Sequence, residues 1–278
     1  MKILITGASS YVGARIYFDL QNKYELVGTC FANQLAKSFV QLNLTDKNAV
    51  ERLLKEKVPD VIVHVANFPS PRSAVNNEEK FESLNGVSTG CLVENANRIG
   101  SKFVFISSQA ANNPESNIYG KLKLKSEKLV ESVRAGYLIL RPSLIVGFSP
   151  NTTNPRPFNR ILSCLDNKED VCEFDTSWKL QPSYVGHLSQ VIDKTIQSNK
   201  WYMAVPVFID ELVTQYQIAK DVLEKFEVKV EPIDQGVDIA PSSDDLSYFN
   251  SLNLKPKTYR EMINTIHDEI LKRKEFVL

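Results

Sequence analysis

The feature that most constrains this chain is an alternation of two periodicities along its first half. Short, β-branched apolar runs fall at 2–6, 25–30, 38–42, 61–66, 103–107 and 137–140. Between several of them lie segments of helical period: 46–57, apolar at 49, 50, 53 and 54, and 78–99, apolar at 81, 84, 87, 91, 92 and 96. Apolar runs of this kind suit strands buried on both faces, and helices between them make the sheet parallel with right-handed crossovers. The expected fold class is α/β, a doubly wound parallel sheet. After Arg141-Pro-Ser143 the texture changes. Residues 148–160 are rich in Pro, Asn, Ser and Thr and read as a loop, and helical patterns return at 211–226 and 259–274 around an extended run at 228–233. These features predict a first domain of 1–148 plus about 180–208 and a smaller C-terminal α/β domain of 149–179 plus about 209–278.

Charge narrows the function classes. The chain of 278 residues carries 33 basic and 33 acidic side chains, a formal balance of zero. Nucleic acids and anionic membranes call for a basic excess, so neither is an expected partner. The opening Met1-Lys-Ile-Leu-Ile-Thr-Gly7 reads as a strand rather than a leader, and no apolar run approaches the roughly 20 residues of a spanning helix. Cys30, Cys91, Cys164 and Cys172 are scattered, without a Cys-x-x-Cys pair or histidines at ligand spacing. Reduced thiols, no metal site and a cytoplasmic location are the corresponding expectations.

The first strand runs into Thr6-Gly-Ala-Ser-Ser-Tyr-Val-Gly13 and then an apolar helix. A glycine-rich turn at that place suits a dinucleotide pyrophosphate, because the helix start offers unpaired N–H groups and a positive dipole end. Ser10 occupies the place of the middle glycine in TGxxGxxG, with a hydroxyl able to donate to a phosphate oxygen. The second strand's end, Val27-Gly-Thr-Cys-Phe-Ala-Asn33, holds no carboxylate for a ribose 2′-hydroxyl. Thr29, Asn33 and the nearby Lys37 tolerate a 2′-phosphate, which leans the cofactor toward NADP over NAD.

Tyr119 and Lys123 are spaced i, i+4, one turn apart on one helical face. An ammonium beside a phenol favours the phenolate and brings it toward working pH, where it serves as general acid or base. Ser108 closes the apolar run 103–107, at a strand's carboxyl end where such sheets line their ligand crevice. Its hydroxyl suits a substrate carbonyl; its plainer role is to cap the next turn. His64, mid-strand, reads as a packed core histidine, and His267 as a residue of a surface-like helix without a role.

Thr6–Gly13, Asp60–Ala66, Asn85, Ser107-Ser108, Tyr119–Lys123 and Leu140-Arg-Pro-Ser143 fall in the order of the extended short-chain dehydrogenase/reductases, Rossmann-like enzymes. Within them the chain most resembles the dTDP-4-dehydrorhamnose reductase branch, through Gln181-Pro-Ser-Tyr-Val-Gly-His-Leu188, Tyr216-Gln-Ile-Ala219, Ala240–Leu246 and Leu254-Lys-Pro256. The resemblance implies an NAD(P)-dependent reductase of a keto group on a nucleotide-activated sugar, with Ser108, Tyr119 and Lys123 catalytic. It implies that Gly7, Ser9, Ser10, Tyr11, Val12 and Gly13 hold the pyrophosphate. Thr29, Asn43, Leu44, Val65 and Ala66 would flank the adenosine half; Tyr119, Lys123, Pro142 and Ser143 would border the nicotinamide side. Ser108, Gln109 and Arg156 would contact the nucleotide-sugar substrate, and a homodimer is a further expectation. The sequence departs from the branch at Ser10, at Asn43 (usually aspartate), at Gln109 (aspartate) and at His187 (acidic), and its stretch from Ser108 to Tyr119 is shorter. Two alternatives stand: an epimerase or dehydratase of the same superfamily, and a non-catalytic NADP-binding regulatory subunit, since the branch includes one of methionine adenosyltransferase.

Overall fold

A computed structural model describes residues 1–67, 82–114, 118–167, 171–237, 239 and 244–278. Elements are numbered in chain order among these residues. β1 (Lys2–Thr6), α1 (Tyr11–Leu20), β2 (Glu25–Cys30), β3 (Val40–Gln41), α2 (Lys47–Lys57) and β4 (Val61–His64) come first. A π-helical turn (Glu82–Val87) runs into α3 (Ser88–Ile99), followed by β5 (Lys102–Ile106), a 3-10 turn (Gln109–Asn112), α4 (Ile118–Val130), β6 (Tyr137–Pro142) and β7 (Ile145–Val146). The remainder comprises α5 (Pro157–Asp166), β8 (Val171–Asp175), β9 (Ser183–Tyr184), α6 (Val185–Ser198), β10 (Met203–Val207), α7 (Gln215–Leu223), β11 (Lys229–Ile233), α8 (Tyr248–Ser251) and α9 (Tyr259–Leu271).

Seven strands form one parallel sheet in the order β10-β6-β5-β4-β1-β2-β3. This is the doubly wound α/β order expected from the alternating periods, with the strand order reversing between β1 and β4. The pleat sends Ile3, Ile5, Val61, Val63, Val104, Leu138 and Leu140 to one face, where α1 and α6 cover them through Ile16, Leu20, Leu188 and Ile192. Leu4, Ile62, Phe103, Phe105 and Ile139 face the other side, under α2 and α3 through Val50, Leu54, Leu92 and Ala96. Burial on both faces explains why these strands lack a polar/apolar alternation.

A second core joins Phe158, Ile161 and Leu162 of α5 to Ile218 and Val222 of α7 and to Met262 and Ile266 of α9. β8 pairs in parallel with β11 beside it, and β7 with β9. Phe249 and Leu252 pack instead on the first core.

Three expectations are corrected. The loop expected over 148–160 gives way to α5 at Pro157, whose fixed φ suits the first helical position. Cys164 and Cys172 form a disulfide, their Cα atoms 6.4 Å apart, because α5 and β8 run back beside each other; Cys30 and Cys91 are the buried free thiols. His267 is buried, its Nε2 within 3.0 and 3.1 Å of the Asp221 and Val222 carbonyls. The helix predicted over 78–99 is described from 82 onward, as the π-helical turn and α3; its residues 78–81, together with Asn117 and residues 240–243 of the C-terminal resemblance, lie outside the described residues. Among the described residues no helix is long and apolar enough to cross a membrane.

Candidate active site

The phosphate loop is built by close approach. Gly7 has φ +70°, and a Cβ there would stand 2.8 Å from Ala66 Cα. A Cβ on Gly13 would stand 2.2 Å from the Gly7 carbonyl oxygen, so α1 reaches the loop only with glycine at this position. Ser10 is the N-cap of α1, and its Oγ accepts from the Gly13 N–H at 3.0 Å. The side chain folds back on its own helix, which is how the turn admits a residue larger than glycine. Tyr11 and Val12 open the helix, where N–H groups lack intrahelical acceptors.

Neighbouring segments brace the loop. Ala8 N–H donates to the Thr29 carbonyl at 2.8 Å and Gly7 N–H to Thr29 Oγ1 at 3.4 Å. Ser9 Oγ accepts from Leu35 N–H, and its carbonyl accepts from Asn151 Nδ2 at 2.5 Å. Thr29 is thus buried beneath the loop, while Asn33 and Lys37 stay exposed. The Tyr11 ring turns into the second core and its hydroxyl donates to the Gly147 carbonyl, leaving only the Tyr11 backbone for the loop. Across the crevice, Val65 and Ala66 N–H groups donate to the Thr6 carbonyl at 3.2 and 3.1 Å. Asn43 Oδ1 accepts from Thr45 in a local turn, and Leu44 is buried.

The phenol, amine and hydroxyl converge at the ends of β5 and α4. Lys123 is 2% exposed. Its Nζ donates to the Ile106 carbonyl at 2.9 Å and lies 4.7 Å from the Phe105 ring centroid and 6.0 Å from that of Tyr119. Burial pushes this amine down to about 7, against the opposing charge of Glu127. Tyr119 differs from expectation: burial pushes its phenol up, and the described groups pulling it down are the Asn67 amide, Arg156 and the Ser108 hydroxyl, in that order. Ser108 therefore bonds the phenol while also capping the 3-10 turn, its Oγ accepting from Ala110 N–H at 3.3 Å. Arg156, at the N-cap of α5, acts on Tyr119 and on Tyr11. Pro142 ends β6, and Ser143 N–H donates to Ser183 Oγ at 2.8 Å.

Sequence reasoning missed two residues here. Asn67 follows β4 by three residues, at the carboxyl end beside the strand-order reversal; its Oδ1 is buried without a partner among the described residues, as is Nε2 of Gln109. Glu127 continues the four-residue spacing of Tyr119 and Lys123, is fully buried, and accepts from Ser107 Oγ at 2.5 Å and from Arg141 Nε and Nη2 at 3.0 and 2.5 Å. His64 is the packed core histidine expected. Thr89 spends its proton on the Asn85 carbonyl, so it accepts from His64 Nε2 at 3.1 Å, and His64 Nδ1 accepts from Thr6 Oγ1 at 2.7 Å. Burial holds this ring neutral, down to about 3. The hydrogen-bonded chain ties the phosphate-loop strand to the π-helical turn.

A glycine cradle at a helix start and orphaned amide atoms beside a phenol suit a bound dinucleotide and its substrate. The family model described as RmlD substrate binding domain matches residues 1–245. Methionine adenosyltransferase 2 subunit beta of Bos taurus is 34% identical over 159 residues, covering 52% of this chain and 47% of that protein. The chain thus spans about half the length of the first curated relatives it matches. A dTDP-4-dehydrorhamnose reductase of Bacillus anthracis, solved in complex with NADP, superposes with a TM-score of 0.80 at 20% identity over 96% of this chain and 99% of that one. A UDP-glucose 4-epimerase of Thermotoga maritima, solved with UDP-glucose, gives 0.79 at 18% over 99% and 100%.

Proposed function

The chain belongs to the RmlD substrate binding domain family, and from that premise we propose that it is an NAD(P)-dependent reductase of a keto group on a nucleotide-activated sugar. The observation that carries the reading is the meeting of Ser108, Tyr119 and a buried Lys123 beside a glycine-built phosphate loop. A reduced nicotinamide, when bound, supplies the hydride. Gly7, Ser9, Ser10, Gly13 and the backbone of Tyr11 and Val12 would cradle its pyrophosphate, with Asn43, Leu44, Val65 and Ala66 along the adenosine half and Pro142 and Ser143 on the nicotinamide side. Ser108 donates to the substrate carbonyl, Tyr119 delivers the proton to its oxygen, and Lys123 holds positive charge behind both. Arg156 and Gln109 face the substrate. The absence of a carboxylate in 27–33, with Asn33 and Lys37 exposed, supports NADP over NAD. The substrate would lie between the domain of 1–148 plus about 180–208 and the smaller one of 149–179 plus about 209–278, with Phe249 and Leu252 of the latter packed on the sheet side.

The test is oxidation of NADPH and NADH against a panel of nucleotide-linked keto sugars. Tyr119→Phe is expected to lose about 10²- to 10⁴-fold in kcat while still binding NADPH; an unchanged kcat overturns the mechanism. The matches to methionine adenosyltransferase 2 subunit beta favour a second reading, a cofactor-binding regulatory subunit. Its marks would be NADPH binding without turnover across the panel, together with association with a methionine adenosyltransferase.

A further inference from the structure

Glu127 takes no part in the reaction as described, yet it stands among everything that does. It lies on α4 one turn beyond Lys123 and two beyond Tyr119. Its carboxylate binds Ser107, the residue before Ser108, and Arg141, the residue before Pro142 and Ser143. One buried anion therefore ties the helix of the phenol and amine to two strand ends of the site. Arg141 is held in turn: its Nη1 donates to Asn112 Oδ1 at 2.8 Å, and Asn112 Nδ2 donates to the Asp244 carboxylate.

Stability alone is a poor account of such a pair, because buried ion pairs are often replaced by apolar residues without loss. The charges around Lys123 offer a better one. Its Nζ meets the Ile106 carbonyl and the faces of Phe105 and Tyr119. From β4 it meets His64, which is neutral, and from its own helix the carboxylate of Glu127, whose far side Arg141 of β6 occupies. We propose that Glu127, set in place by Arg141, is a positioning residue that keeps Lys123 in its ammonium form and fixes the Ser107–Ser108 strand end against Tyr119. Its bearing on catalysis rests on the reductase reading; its bearing on the charge of Lys123 does not. Burial pushes the amine down to about 7 and Glu127 opposes that fall, so removal of the carboxylate lets the amine shed its proton at lower pH.

The deciding measurement is the titration of Lys123 in the whole protein, read from its ¹³Cε resonance and assigned by its loss in Lys123→Met. Glu127→Gln is expected to lower the midpoint by about one unit, and Arg141→Gln, which leaves the carboxylate without its counter-ion, to raise it. Midpoints unchanged in folded variants overturn the proposal, even if both variants melt earlier. Should Glu127→Gln fail to fold, Arg141→Gln decides alone by the sign of its shift. In a preparation with turnover, kcat/KM of Glu127→Gln should fall about ten-fold at pH 8 and about two-fold at pH 6; a loss uniform across pH overturns the charge role. If no sugar is turned over by the wild-type protein, the reductase reading fails while the lysine titration still decides this one.

Discussion

At the scale of single residues, the site combines sterically required small groups with charges held in unfavourable surroundings. Gly13 is the steric case: Gly13→Ala must move either α1 or the Gly7 carbonyl, since the added carbon would sit 2.2 Å from it. The expected result is a loss of about 1–3 kcal/mol in urea unfolding and weakened NADPH binding by calorimetry. Lys123 is the electrostatic case. A buried amine at about 7 against an ordinary 10.5 means that the unfolded chain binds more protons between those values, so folding is penalised in full below pH 7. Lys123→Met should therefore raise the melting temperature, more at pH 6 than at pH 9, and abolish turnover if the proposed reductase mechanism holds. His64 and His187 are likewise held neutral by burial, down to about 3 and about 4 from an ordinary 6.5. The unfolded imidazoles take up protons first, so stability falls as pH drops from 6.5 toward 4, by about 1.4 kcal/mol per unit for each ring. Urea titrations at pH 7, 5.5 and 4.5 should show that slope, reduced in His64→Gln. That Tyr119 and Lys123 share one helix and Ser108 follows a strand end was legible from the sequence, because helix spacing and strand ends are local. The order of influences on Tyr119 was not, because Asn67 and Arg156 reach it from elements far apart in the chain.

At the scale of elements, the strands and their parallel, doubly wound sheet followed from apolar runs alternating with helical periods, and β1, β2, β4, β5 and β6 lie where those runs lie. Shorter or polar-flanked elements escaped. The run 38–42 contributes only β3, two residues at the sheet edge, and α5 was hidden in a stretch rich in proline and asparagine. The π-helical turn Glu82–Val87 was invisible too, because an i to i+5 pitch leaves no signature distinct from the helix that follows. The pattern read from 259 does meet the start of α9, which begins with a full capping box between Thr258 and Glu261, whereas the pattern 211–226 overruns α7 at both ends. Thr258→Ala should cost about 1 kcal/mol in chemical unfolding; a change below the error of the measurement would mean that tertiary packing alone holds this start.

At the scale of the whole molecule, one buried arginine joins the phosphate-loop helix to the second core. Arg15 of α1 bonds Asp19 at 2.9 Å, the Phe148 carbonyl at 2.6 Å, Tyr184 at 3.0 Å and Glu269 of α9 at 2.7 Å. Glu269 also accepts from Tyr184 Oη at 2.5 Å and from Phe148 N–H at 3.1 Å. Removing one member of such a cluster strands the others, so Glu269→Ala is expected to lose about 3–5 kcal/mol of stability and, by loosening α1, some NADPH affinity; retained affinity would separate the loop from this cluster. Pairings of this range cannot be read from local pattern; the disulfide between Cys164 and Cys172, eight residues apart, escaped instead because α5, which carries Cys164, starts inside a stretch that reads as a loop. The segment beyond α9 continues the same contact: Phe276 stacks on Phe18 of α1 at 4.5 Å, and Gln21 Nε2 donates to the Val277 carbonyl at 3.4 Å. On a ribosome this has a temporal meaning. The seven strands of the sheet are all translated by residue 207, but the first helix waits some sixty residues more for Glu269, the second carboxylate on its arginine after Asp19, so the anchoring of that helix follows completion of the sheet rather than accompanying it.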